Sequence, residues 1–241
     1  MSKIRLDRLL ANLGYGSRKE TGAAIKRGVF WIGDKAYRDP SEQVSIESLK
    51  DATFDHEPLD PLFPLSIVLN KPRGYTCSND EMGLLIYDLL PDRWRYRSPI
   101  LSPAGRLDKE STGLVLMTDD GQLLHKIISP KIHVQKYYRV TLRDELSGEE
   151  TKEFFSGAFC LSGDVKPLKP ALWQPDGPKS GVMVLQEGRY HQIRRMFSTL
   201  GNHVEALHRF KLGGLEIADL QEGEFRILSK ADLTTVFGDA P

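Results

Sequence analysis

The stretch "GRLDKESTGLVLMT", residues 105–118, sets one carboxylate, Asp108, in a charged turn between Arg106 and Lys109, then runs directly into an apolar segment. By local rules this is a turn feeding a strand: polar and glycine-bearing at its start, aliphatic after Thr112. In such a turn an aspartate ordinarily bonds backbone amides or pairs with a neighbouring base. Similar short β-rich stretches recur as "LSIVLNKP" (65–72), "YYRVTL" (137–142), "SGVMVLQEG" (180–188) and "EFRIL" (224–228). Helical periodicity marks "DGQLLHKII" (120–128), "SGEETKEFFSGAF" (147–159) and "HQIRRMFSTLG" (191–201). This alternation predicts an α+β body with a mixed, largely antiparallel sheet flanked by helices.

Ahead of that body lies a different module. In "IRLDRLLANLG" (4–14) Leu6, Leu9, Leu10 and Leu13 share one helix face, and Gly14 is placed to end it. "SRKETGAAIKRG" (17–28) opens with a capping box, Ser17 and Glu20, and closes on Gly28. "VFWIGDKAY" (29–37) reads as a hairpin turning at Gly33–Asp34. Charge is segregated too. Residues 1–38 hold nine Lys or Arg against three acids, a net of +6, while residues 39–66 carry −6 and the whole chain of 241 residues nets zero. Arg5, Arg8, Arg18, Lys19 and Arg27 place cations on and around the second helix, whose N-terminus attracts phosphate; a solvated helical face is the alternative. The Pro- and acid-rich "DHEPLDPLFP" (55–64) is the best linker, which divides the chain into residues 1–62 and 63–241.

Composition narrows the class. At 40% hydrophobic and 27% charged residues the chain is that of an ordinary soluble protein, and no apolar run approaches the ~18 residues of a membrane helix. "MSKIRLDRLL" lacks a signal-peptide core, and two cysteines, Cys77 and Cys160, are too few and too distant for a disulfide framework or a zinc site. A reducing cytoplasm and no membrane association are the expectation.

Four stretches of the larger body could carry chemistry: "LNKPRGYTCS" (69–78), "GRLDKESTGLVLMT", "KYYRV" (136–140) and "EGRYHQIRRM" (187–196). Taken singly each is ambiguous. Tyr137 and Tyr138 must face opposite sides of a strand, so only one enters the core. Arg189, His191, Arg194 and Arg195 fit a basic surface helix as well as a site. In "NHVEALHRFKLGG" (202–214), His208, Arg209 and Lys211 read either as contacts to a nucleic-acid backbone or as solvated strand-end charges. "DRWRYRSPILSPAG" (92–105), rich in Arg and aromatic residues, looks inserted and either touches RNA or packs.

Taken together and in this order, the four stretches resemble the pseudouridine synthases of the RsuA type, and residues 5–36 resemble an S4 RNA-binding domain. The resemblance spans nearly the whole chain. It implies isomerisation of a uridine to pseudouridine: the N1–C1′ bond breaks, the uracil rotates and rejoins through C5, with no metal and no cofactor. It implies Asp108 as the essential aspartate, Tyr138 as the ring that stacks on uracil, and Arg194 as the cation paired with the carboxylate. Arg106 is implied to hold or flip the target nucleotide and Leu185 to line the base pocket, while Arg209 is a substrate-contact candidate from its own stretch. "NKPRG" is implied to support the loop, and His191 to order it. A positioned carboxylate suffices for the chemistry, and a guanidinium beside it favours its charged form. Flipping a uridine out of folded RNA costs a few kcal/mol, which stacking on an aromatic ring offsets by roughly 1–3 kcal/mol.

"GRYHQIRRMF" with "GNHVEALHR" is most similar to enzymes that modify one uridine of small-subunit (16S) ribosomal RNA, where large-subunit relatives tend to show Asn-Arg at Tyr190–His191. Arg194 stands where those small-subunit enzymes carry Lys. The expected partner is ribosomal RNA within a small-subunit assembly intermediate, met by a monomeric protein. A large-subunit (23S) synthase and a non-catalytic S4-type assembly protein are the alternatives. An aspartate inside a phosphate-seeking surface argues against the last, because it repels the ligand.

Overall fold

Leu6, Leu9, Leu10 and Leu13 are all fully buried, as their spacing on one helix face requires, and they form the centre of the first of two compact units. The computed structural model describes residues 3–238. The first unit comprises residues 1–65, 90–102 and 118–120; the second holds the rest.

The first unit begins with β1 (Lys3–Arg5), α1 (Leu6–Asn12) and α2 (Arg18–Arg27). Ser17 and Glu20 make the capping box read from the sequence, and Gly28 ends α2 in the left-handed region at φ 84°. The hairpin β2 (Phe30–Ile32) and β3 (Lys35–Tyr37) follows, then β4 (Gln43–Ser45), β5 (Ala52–Phe54) and β6 (Glu57–Pro58). They pair as a sheet of order β3-β2-β5-β6 and a ribbon β1-β4. Ile25, Phe30, Val44, Leu49 and Ala52 complete the leucine core.

A sequence division at residue 62 treats this unit as one continuous piece, whereas two later segments belong to it. "DRWRYRSP" packs here: Trp94 is buried, and Arg97, wholly buried, donates through Nη2 to Asp119 Oδ2 at 3.1 Å and through Nη1 to Pro61 O at 3.0 Å. Asp119 Oδ1 also accepts from the Leu65 amide at 2.7 Å. Arg93 pairs with Asp60 and lies over the Tyr15 ring at 4.7 Å. Through Trp94 and Arg97 the stretch is core and scaffold of this unit, while Asp92, Arg93, Tyr96, Ser98 and Pro99 are exposed.

The second unit is a sheet of order β11-β12-β10-β13-β9-β7-β15. Its strands are β7 (Ser66–Lys71), β8 (Ser102–Pro103), β9 (Thr112–Thr118), β10 (Lys136–Leu142), β11 (Leu172–Gly177), β12 (Ser180–Leu185), β13 (Val204–Leu212), β14 (Leu215–Glu216) and β15 (Phe225–Ile227). β10 runs antiparallel to β12 and β13, while β9 and β13 are parallel, so the sheet is mixed and largely antiparallel. Among the described residues the α-helices α3 (Gly121–Ile128), α4 (Glu150–Phe155), α5 (Gln192–Thr199) and α6 (Lys230–Thr235) accompany it. α4 is shorter than its pattern predicts because Gly157 turns the chain away at φ 68°.

β13 is the main departure from expectation. It is nine residues long and lies in the middle of the sheet, and its charges are not at a solvated end. His208 Nδ1 meets Thr112 Oγ1 at 2.8 Å, Lys211 pairs with Glu216 at 2.7 Å, and Arg209 is 1% exposed. Among the described residues no helix is long and apolar enough to cross a membrane.

Candidate active site

Asp108 sits in the loop between β8 and β9, and the loop is shaped from both flanks by buried cations. Lys71, at the end of β7, is fully buried and its ammonium donates to Pro72 O (2.9 Å), Lys109 O (3.1 Å) and Ser111 O (2.6 Å). Burial pushes the Lys71 ammonium below its ordinary range, and the three carbonyls compensate its desolvation. On the other flank Arg209 Nε donates to Leu114 O at 2.7 Å and Nη2 to Gly105 O at 3.0 Å. Arg209 is buried and braces the loop through backbone acceptors, as a buried guanidinium requires, and it also lines a cavity of about 300 Å³ with Arg106 and Tyr138. Gly113 lets β9 meet β13: at φ 104°, a Cβ there would lie 2.2 Å from Arg209 O. "NKPRG" adds the Gly74 amide on Lys109 O at 2.9 Å and the exposed Arg73–Glu110 pair.

The loop so held presents Asp108 to the start of α5. His191 caps that helix in the left-handed region, φ 48°, and brings Nε2 to 3.5 Å from Asp108 Oδ1. Arg194, one turn on, places Nε 3.9 Å from Asp108 Oδ2, which is an ion-pair distance and too long for a hydrogen bond. Its Nη1 donates to Val204 O at 2.8 Å, and its buried Nη2 has no hydrogen-bond partner among the described residues. The turn ahead of α5 is built by Gln192, whose Oε1 accepts from the Arg189 amide at 2.8 Å and whose Nε2 donates to Glu187 Oε1 at 3.1 Å. Arg189 and Arg195 both bind Asp164, which holds that carboxyl below the usual carboxylate range. Two of the motif's four basic residues are thus structural ties.

Asp108, Tyr138, Leu185, Arg106, His191 and Ile193 line one cleft of about 90 Å³. The sheet register accounts for this grouping: Tyr138 on β10 faces Met183 on β12, two residues from Leu185, and Arg209 on β13, whose guanidinium lies 6.0 Å from the Tyr138 ring. Tyr138 is buried, while Tyr137 turns away to Gln135 and the Phe210 ring. Arg106 is exposed and pairs with Glu81 at 3.3 Å. A neighbouring cavity of about 300 Å³ shares Arg106, Tyr138 and Gly188 and contains Lys136, whose ammonium is pushed down to about 8 by burial. No cluster of three or more His, Cys, Asp or Glu among the described residues could hold a metal ion.

The sequence reading missed Lys71 as the loop's anchor and His191 as a direct neighbour of Asp108. For Lys71 the signal was a lysine at the end of an otherwise apolar strand. In the first unit, Arg5 and Arg18 both end on Asp7 Oδ2 at 3.0 Å, while Arg8, Lys19 and Arg27 are exposed.

A carboxylate, a buried ring and a facing cation in one small cleft, on a mixed sheet, agree with what comparison shows. The family model for RNA pseudouridylate synthase matches residues 66–199, and the chain belongs to that family: it is an RNA pseudouridine synthase, an isomerase. It is similar over its full length to the ribosomal small subunit pseudouridine synthase A of Escherichia coli (strain K12), 37% identical over 238 residues, covering 97% of this chain and 100% of that one. The uncharacterized RNA pseudouridine synthase YtzG of Bacillus subtilis (strain 168) is 37% identical over 235 residues, covering 95% and 97%. A solved crystal structure of a pseudouridylate synthase superposes with a TM-score of 0.68 at 36% identity, covering 97% of this chain and 99% of that one. Within the family the chain is of the RsuA type. The binding-only alternative is thereby removed.

Proposed function

We propose that the protein converts one uridine of small-subunit (16S) ribosomal RNA to pseudouridine, with Asp108 as the acting carboxylate and no cofactor. The observation that carries this is Asp108 itself. Among the described residues it is the one carboxylate of its cleft, faced by His191 and Arg194 at 3.5 and 3.9 Å, with Tyr138 and Leu185 forming walls of base-binding character. The ionised carboxylate is the nucleophile or base, and the Arg194 guanidinium is the permanent positive charge that faces it. Tyr138 stacks on the uracil, Leu185 packs against it, and Arg194, with a donor to spare, stays paired with Asp108 while the uracil turns. Over the reaction C5 loses its hydrogen, N1 gains one, and the sugar's C1′ exchanges nitrogen for carbon, so no external oxidant or metal is required. Arg106 leaves Glu81 for the RNA. The S4-like first unit supplies non-specific RNA affinity through Arg8, Lys19 and Arg27, and the substrate is a small-subunit assembly intermediate. The small-subunit target is supported by the full-length likeness to relatives named for that activity.

Purified protein incubated with small-subunit ribosomal RNA, or its precursor particle, is expected to create one new pseudouridine, read by carbodiimide-stop primer extension. Asp108→Asn, isosteric and uncharged, is expected to fold normally and make none. A product confined to large-subunit RNA would overturn the target, and an active Asp108→Asn would overturn the assignment of the carboxylate.

A further inference from the structure

The rim of the Asp108 cleft carries an aromatic surface for which the reaction at Asp108 has no use. Tyr190 is 77% exposed, and its ring lies flat on the His191 imidazole, centroids 3.9 Å apart and planes within 15°. The pair is not a loose flap. His191 is fixed by its helix-capping backbone and by Asp108 at 3.5 Å, and the Tyr190 carbonyl accepts from Arg195 Nη1 at 3.5 Å, a guanidinium that also grips Ser162 O and Asp164. One face of the Tyr190 ring is thus covered by the imidazole, and the other is open to solvent.

Size decides what that open face meets. The cleft of about 90 Å³ holds no more than a single base, so the nucleotides on either side of the target lie outside it. The hollow of about 600 Å³ beside it, lined by Tyr190 and His191 together with Asp108, Glu81, Thr76, Arg106 and Lys109, has room for one of them. Cations beside an exposed, pre-oriented ring are the recognition elements for single-stranded nucleic acid: the cations track phosphate, and the ring stacks on whichever base is presented. Flipping the target also strips its neighbour of a stacking partner, which leaves that neighbour with a bare face.

We propose that Tyr190, backed by His191, is a stacking platform for the nucleobase next to the target uridine in the RNA. The platform replaces the partner that the neighbour loses, and the imidazole beneath holds the tyrosine in place before RNA arrives, so little side-chain freedom is lost on binding. The proposal rests on the pseudouridine synthase activity and is independent of which ribosomal RNA is modified.

The test uses the full-length protein and a synthetic RNA spanning the uridine that the wild type converts, taken from whichever ribosomal RNA that proves to be, with fluorescent 2-aminopurine placed on either side in turn. Binding to the wild type is expected to quench one of the two probes. Tyr190→Phe retains the quench, and Tyr190→Ala abolishes it and raises KM about ten-fold, with the effect on KM exceeding that on kcat. Tyr190 is a surface residue, and equal melting temperatures of the three proteins exclude misfolding. The proposal is overturned if Tyr190→Ala quenches as the wild type does, or if its KM stays within two-fold.

Discussion

Lys71 shows how one buried charge can fix the loop that carries a neighbouring carboxylate. Its three acceptors include the carbonyls of Lys109 and Ser111, on either side of Glu110 and immediately after Asp108. Lys71→Met keeps most of the stem's volume but strands those carbonyls, and hydrogen bonds to a charged group contribute about 1.5–3 kcal/mol each. A loss of about 2–4 kcal/mol in unfolding free energy is expected by denaturant titration, with kcat/KM falling about 100-fold because the carboxylate is no longer held in register. Lys71→Arg should not restore activity, since a planar guanidinium cannot occupy an ammonium's compact site. Lys136 gives a pH signature. Its ammonium titrates near 8 in the folded protein and at the ordinary 10.5 when unfolded. Between those values the unfolded chain binds more protons, so this group makes the folded state relatively more stable as pH rises. Relative to Lys136→Met, the wild-type melting temperature is expected to gain between pH 8 and 10; a gap that stays constant would contradict a buried, neutralisable lysine.

At the level of elements, the parallel junction of β9 and β13 leaves no room for a side chain. Gly113 pairs with Arg209, and a Cβ would stand 2.2 Å from that carbonyl. Gly113→Ala is expected to destabilise by more than about 3 kcal/mol, combining a clash with a strained positive φ, and to appear as insoluble or inactive protein. The same junction explains what the sequence could and could not reveal. α1, α2 with its capping box, the β2–β3 hairpin and β9 were legible because each carries a local signal: a helical period, a cap, a turn or an unbroken apolar run. β13 was not, because bulges opposite Tyr137–Tyr138 and Thr141–Leu142 shift its register against β10, so its buried positions do not alternate. A bulge-shifted register put Arg209 inside, and in a sequence an arginine reads as surface. Asp108, Tyr138 and Arg194 were candidates from motifs, and the structure sets Asp108 and Tyr138 in one cleft with Arg194 beside the carboxylate. The Lys71 and His191 contacts depend on two chain segments meeting, which spacing along one segment does not encode.

For the whole molecule, RNA affinity and chemistry are expected to separate. Arg5 and Arg18 are engaged with Asp7, so the cleaner probes of the first unit are Arg8→Ala with Lys19→Ala. Removing a cation that neutralises one phosphate should reduce the slope of log affinity against log salt by about 0.7–0.9, giving a drop of roughly 1.5 for the pair, while single-turnover rates at saturating RNA hold. An unchanged slope, measured by filter binding from low to moderate salt, would remove these residues from the interface. The first unit's composition has a temporal side as well. Its core includes the Arg97–Asp119 pair, and an aspartate buried without its arginine is a charge that the fold cannot hold. A chain is made from its N-terminus at about 5–20 residues per second, so many seconds pass between the emergence of Leu6 and that of Asp119. During that interval the leucine helices and their cations leave the ribosome without a finished core. The segment that comes first in synthesis is therefore not the first to be complete, and its maturation waits on the strand that follows Asp108.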